Sequence, residues 1–203
     1  MAQEALPTFK YVADASSCSV PLDDETPCDL CGRVVDPRWG SFVGEPSLDA
    51  VCAWCVAKGI PDGAAQRRDG DQGTLRAQLQ EKQPQASAKA IQRDVDAKLD
   101  ELARRTPPVL SWQDWDWPAC CGDFTRFLRH AGQREIDALA RDRGGGSGEA
   151  LFRASLVDAD QYDPELWHHL PSEPVTVNSN WKVQAYVFEC LTCRRLLVQW
   201  DCI

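Results

Sequence analysis

An α+β fold is predicted for these 203 residues. Its N-terminal module is zinc-stabilised and treble-clef or ribbon-like, packed with several helices and a C-terminal β-hairpin. Three observations predict it. Cys28-Asp29-Leu30-Cys31-Gly32 is answered by Cys52-Ala53-Trp54-Cys55, and two Cys-x-x-Cys pairs at this separation have the spacing of a four-thiolate zinc site. Ile91, Val95, Leu99 and Leu102 recur at offsets of four, four and three, the stripe of an amphipathic helix. Residues 181–200 read as a strand, a Cys-x-x-Cys turn and a returning strand.

Taken in order, Phe9-Lys10-Tyr11-Val12 suits a short first strand, and a loop with Cys18 and the acidic run Asp23-Asp24-Glu25 follows. In the finger, Arg33-Val34-Val35 and Trp39 to Val43 suit the arms of a hairpin turning at Asp36-Pro37. Gly32 suits the turn after Cys31, where a positive φ costs glycine little. Cys52 and Cys55 are placed at the start of a short helix closed by Gly59. These features define a zinc-binding module over residues 1–60. Residues 61–86 read as a polar loop or insert, within which Leu75 and Leu79 begin helical spacing that Pro84 interrupts. Residues 87–203 form a helical region ending in the hairpin, expected to make one compact unit with the module.

Within that last region the stripe predicts a helix from Ser87 to Arg105, stopped by Thr106-Pro107-Pro108. Asp123 is expected to cap a helix through Phe124, Phe127, Leu128 and Ala131 to Gly132, which places His130 on a helix. Another helix runs through Ile136 and Leu139. Gly144 to Gly148 read as a flexible link. Short helices follow over Glu149–Leu156 and Pro164–His169.

The hydrophobic fraction of 43% and eight Trp supply a core. Net charge is −9, which disfavours direct nucleic-acid binding, because neutralising phosphates takes basic residues. It favours a basic protein partner instead. The first residues lack the basic and apolar runs of a signal peptide, and no segment approaches the roughly eighteen apolar residues of a membrane span. A cytoplasmic location and a reducing environment are expected.

The metal ligands read from the sequence are Cys28, Cys31, Cys52 and Cys55. Two disulfides or four buried thiols are the alternatives; the paired spacing favours structural Zn2+, since four thiolates leave no open position. A second group, Cys190 and Cys193 with Cys121, is a candidate metal site or a knuckle. Adjacent Cys120 and Cys121 rarely both ligate one structural ion, and Arg194 stands where a knuckle prefers Gly, so a knuckle kept for packing is the expectation. No nucleophile pairs with a histidine and no phosphate loop is present, so no catalytic residue is assigned. Trp112, Trp115 and Trp117 alternate with carboxylates, as a core corner or a binding surface. Candidate partner contacts are Asp23, Asp24, Glu25, Asp114, Trp115, Asp116, Asp158 and Asp160.

Leu6-Pro7-Thr8-Phe9-Lys10-Tyr11, the two finger pairs, Arg105-Thr106-Pro107 with Trp112-Gln113, Cys121-Gly122-Asp123 with Phe127-Leu128, and Ala185 to Cys193 occur together in this order. In that the chain resembles the CbrC family, bacterial proteins named for colicin E2 tolerance. Ala53, Arg194 and the polar segment around Asp62 to Gln92 depart from the family pattern. The resemblance implies protection against a DNA-attacking toxin. The expectation is an immunity or tolerance protein that binds and neutralises a basic toxin of the nuclease class. Its alternatives are a zinc-finger adaptor in a stress response and a redox protein using Cys190-Leu191-Thr192-Cys193.

Overall fold

The computed structural model describes residues 5–36, 40–42, 48–61, 70–158, 163–174 and 183–202. Trp39, Val43, Asp62 to Arg68, Asp160 and Trp181, on which some of the expectations fall, lie outside these. The architecture is mixed α+β with small antiparallel sheets. Strands β1 (Thr26–Pro27) and β2 (Val34–Val35) form a two-stranded pair around the first knuckle. Helix α1 (Ala53–Lys58) follows, then α2 (Gln72–Lys82) and α3 (Ala88–Arg104). A second pair, β3 (Ala119–Cys120) and β4 (Asp123–Phe124), leads into β5 (Arg126–Ala131). Helices α4 (Gln133–Asp142), α5 (Gly148–Ser155) and α6 (Leu166–His169) precede the hairpin of β6 (Val183–Glu189) and β7 (Leu196–Cys202). The main sheet is antiparallel in the order β5-β6-β7.

Every residue of β6 is buried, because it is the central strand and both its faces are covered. Successive side chains point to opposite faces. Tyr186 and Phe188 face one core, with Tyr11, Phe42, Val56, Leu75, Val95, Trp117, Phe124 and Phe127. Val183, Ala185 and Val187 face another, with Ile136, Phe152, Leu166 and Leu170. One strand therefore joins the cysteine-bearing half of the chain to the α4–α6 layer.

Helix α3 forms where its apolar stripe places it. The Ser87 hydroxyl accepts from the Ala90 amide, and Ile91, Val95 and Leu102 are buried. Leu99 packs half-buried against the same core. The segment read as a polar insert contains α2, whose start is capped by Asp71 accepting from the Thr74 amide and whose Leu75 and Leu79 are buried. Phe9 to Val12 make no full strand, but Val12 bridges Phe127 in parallel, with the Phe127 amide donating to the Tyr11 carbonyl at 2.8 Å. The arms of the first hairpin also differ from expectation. Val34 and Val35 pair with Pro27 and Thr26, while Ser41 bridges Val20.

The expected helix from Asp123 to Gly132 is instead β4 and β5, and His130 lies on a strand. A bulge at Leu128 explains the misreading. Phe127 pairs with Phe188 and Arg129 with Val187, so β5 carries one extra residue. The bulge stretches the same-face spacing from two to three. Phe127 and His130 thus share one face, their rings 5.2 Å apart, and Leu128 and Ala131 share the other. Offsets of three and four in a strand imitate a helix.

Asp123 is no helix cap. It accepts from the Tyr11 hydroxyl at 2.7 Å and pairs with Lys10 at 2.9 Å and Lys98 at 3.2 Å. Burial opposes its ionisation, but the Tyr11 and Lys10 hydrogen bonds and the two lysine charges outweigh that and hold its carboxyl below the usual range. Asp123→Ala should cost about 2–4 kcal/mol, because the Tyr11 hydroxyl would be buried without its acceptor. Urea denaturation at neutral pH measures this, and adding Tyr11→Phe should restore part of the loss. An unchanged midpoint would show that this network contributes no stability.

Candidate metal centre

The first cysteine group is assembled by a hairpin and a helix start. The Cys28 amide donates to the Arg33 carbonyl at 2.8 Å and the Gly32 amide to the Cys28 carbonyl at 2.7 Å. That closed turn needs Gly32 at φ 70, which a Cβ would strain. Cys52 caps α1, and the Cys55 amide donates back to its carbonyl at 3.0 Å. Asp29 fixes the two parts together. Its amide donates to the Ala50 carbonyl at 2.9 Å, and its carboxylate accepts from the Ala50 amide at 3.0 Å. Cys28 and Cys55 sulfurs lie 3.8 Å apart, and those of Cys31 and Cys52 3.7 Å. A tetrahedral ion with metal–sulfur bonds of about 2.3 Å requires sulfur–sulfur edges of about 3.8 Å. The group fits such an ion.

The second group contains Cys120, Cys121, Cys190 and Cys193, and in each group the four sulfurs lie within 4.8 Å of one another, so both could hold a metal ion. The structure thus brings Cys120 and Cys121 together with Cys190 and Cys193, where the sequence reading expected the adjacent pair not to serve one ion. Cys120 ends β3, paired with Asp123, and Cys121 opens the two-residue turn into β4, with Cys121 at φ 54 and Gly122 at φ 72, the left-handed pair of a type I′ hairpin. In an extended strand neighbouring side chains diverge; the left-handed Cys121 brings its thiol to the same side as Cys120, 4.0 Å away. Cys120 and Cys193 are 3.8 Å apart. Cys120 is the ligand candidate that the sequence reading set aside, because adjacent cysteines rarely both bind one ion.

The thiols divide by their surroundings. Backbone donation from Arg33, then the Cys55 thiol, lowers Cys31 to about 7, and donation from Arg195, then the Cys190 thiol, does the same for Cys193. Burial pushes Cys52, Cys55 and Cys120 up, and the Cys193 contact raises Cys121.

The partner candidates fare unevenly. Asp23, Asp24 and Glu25 are exposed immediately before β1, and Asp114, Asp116 and Asp158 are exposed elsewhere. Trp115 is no surface anchor. Its ring lies 5.2 Å from Tyr186 and 5.5 Å from Phe188, in the corner between sheet and loop. Among the described residues the exposed large hydrophobic side chain is Val34, paired with Pro27 beside the acidic run. His130 directs Nε2 to the Leu110 carbonyl at 2.9 Å, and burial holds it below the ordinary histidine range. With Trp112 and Tyr186 it lines a cleft of about 410 Å³. Asp201, 2% exposed, lies behind that wall, accepting from the Trp112 and Gln113 amides and from the Tyr186 hydroxyl at 2.8 Å. No described helix is long and apolar enough to cross a membrane.

Comparison with known proteins places this geometry in a family. A family model described as "Uncharacterised protein family (UPF0167)" matches residues 6–202. A UPF0167 protein of Pseudomonas aeruginosa is 28% identical over 194 residues, covering 93% of this chain and 92% of its own. UPF0167 proteins of Mycobacterium bovis and Mycobacterium tuberculosis are each 27% identical over 193 residues, covering 94% of this chain and 90% of theirs. No solved structure matches. The chain belongs to the UPF0167 family.

Proposed function

We propose that this UPF0167 protein is a non-catalytic binding protein. Zinc at Cys28, Cys31, Cys52 and Cys55 stiffens a hairpin-and-helix module of the treble-clef kind, and an acidic edge of that module captures a basic protein. Following the resemblance to the colicin-tolerance family, the partner is a toxin of the nuclease class and the outcome is immunity. The observation that carries the reading is the convergence of four thiols at tetrahedral spacing, which supports a structural ion because it leaves no position for water or substrate. Asp23, Asp24 and Glu25 enter β1 directly, and Val34 stands exposed on its partner strand. A charged rim beside an apolar contact, both on a braced hairpin, loses little entropy when a partner docks.

The test is co-expression with the nuclease domain of a colicin of the E2 type. Survival of the host and a complex on a sizing column are expected; continued death with no complex would count against the proposal. The triple change Asp23→Asn, Asp24→Asn, Glu25→Gln should slow association about tenfold at low salt, with the difference shrinking as salt screens the charges. Equal association rates at low salt would move the contact away from this edge.

A further inference from the structure

Cys120, Cys121, Cys190 and Cys193 lie outside the binding edge just described. We propose that they form a second zinc centre, weaker than the first, which acts as a releasable clasp on the C-terminal hairpin. The two knuckles repeat one backbone pattern. The Cys190 amide donates to the Arg195 carbonyl at 2.8 Å and the Arg194 amide to the Cys190 carbonyl at 3.2 Å, matching Cys28 to Arg33 and Gly32 to Cys28. The Thr192 and Cys193 amides also point at the Cys190 sulfur, each at 3.4 Å. Amides turned toward a sulfur are the outer partners that orient a metal-binding thiol. The sulfur separations of 3.8 and 4.0 Å again match the tetrahedral edge of about 3.8 Å. Binding would release the thiol protons to solvent.

The two centres differ in what they cost the backbone. Among the described residues, the non-glycine positions at positive φ are Cys121 at 54° and Arg194 at 63°, and both belong to this group. The first knuckle has Gly32 where the second has Arg194. A left-handed side-chain-bearing residue is strained, and such strain persists only where the surroundings over-determine it. Here the surroundings are visible. Glu189, 7% exposed, pairs with Arg194 at 2.9 Å and with Arg143 at 2.5 Å, and Arg143 also donates to the Arg194 carbonyl at 2.6 Å. Lys82 donates to the Cys121 carbonyl, and the Gly122 amide donates to Gln78 at 2.8 Å. An ion at the centre would therefore tie α2, the β3–β4 turn, the tip of β6–β7 and the end of α4. Losing it would let two strained turns relax while the strand pairing and both cores persist. Release is easier here for a second reason: one of the four thiols is fully buried, against two in the first group.

Zinc is counted per chain by mass spectrometry on protein purified under reductant, and two ions are expected. Cys120→Ser with Cys193→Ser should lower the count to one. A count of one that Cys193→Ser leaves intact and Cys28→Ser abolishes would sink the second centre and spare the first. A count of one that Cys193→Ser abolishes would do the reverse and overturn the ordering. Against a chelator, the unmodified protein should release zinc in two phases at least about tenfold apart, a ratio equivalent to about 1.4 kcal/mol. Alkylation during that release locates each phase without any variant. Cys120, Cys121, Cys190 and Cys193 should be modified first. Simultaneous labelling of all eight, prior labelling of Cys28, Cys31, Cys52 and Cys55, or a disulfide within the second group would overturn the proposal.

Discussion

Cys52→Ser is expected to remove one zinc per chain and to unfold the N-terminal module. Cys52 is 2% exposed, caps α1 and donates its amide to the Cys28 sulfur at 3.3 Å, so its thiol sits where hairpin, helix and core meet. Around it, Val51, Ala53 and Val56 are buried in the same core as Leu75 and Phe124. β1 and β2 pair over two residues each, too little to hold a hairpin in water unaided. An ion bound by the four thiols would supply the balance. Structural zinc sites contribute on the order of 10–16 kcal/mol, comparable to or larger than the roughly 5–15 kcal/mol that holds a whole domain. Metal content, thermal melting and amide exchange across β1, β2 and α1 check it together. Native zinc content with an unshifted melting temperature would show that these thiols are core packing and nothing more.

Phe188→Ala is expected to destabilise the protein by about 3–5 kcal/mol, the cost of a large cavity in a closed core. Phe188 is wholly buried on the central strand, and its ring lies 5.3 Å from Trp117 and 5.5 Å from both Trp115 and Phe127. Those rings come from the loop before β3, from β5 and from β6, so one truncation loosens the joint between the main sheet and the cysteine-bearing half. Denaturant midpoints measure the loss. A change below about 1 kcal/mol would mean that the aromatic corner collapses around the gap, as sites able to repack do.

Local chemistry carried much of this into the sequence. Thiols separated by two residues reveal a turn because the turn is made within five or six residues, and Gly32 marks its strained position. The α3 stripe survives because Ser87 starts the helix and Pro107 forbids its extension, both short-range effects. The exposed Asp23-Asp24-Glu25 run was legible for a similar reason: three adjacent carboxylates are costly to bury.

Other parts were illegible for reasons that can be named. The extra residue at Leu128 gave β5 a helical periodicity that only its pairing with β6 exposes. Trp115 reads as a core corner ahead of a binding anchor, but which core it joins appears only when Tyr186 and Phe188 arrive beside it from the central strand. Asp123 carries the signature of a cap, yet Tyr11, Lys10 and Lys98 converge on it from two distant segments.

What this sequence determined alone was the inventory and the local turns: two knuckles, an amphipathic helix and an acidic run. Whether Cys120 and Cys121 join Cys190 and Cys193 was decided only by the tertiary structure. A left-handed turn at Cys121 and the meeting of the β3–β4 turn with the tip of β6–β7 bring four sulfurs within 4.8 Å of one another. Spacing along a chain limits which thiols are near in sequence; it cannot say which distant turns the packing of two cores will press together.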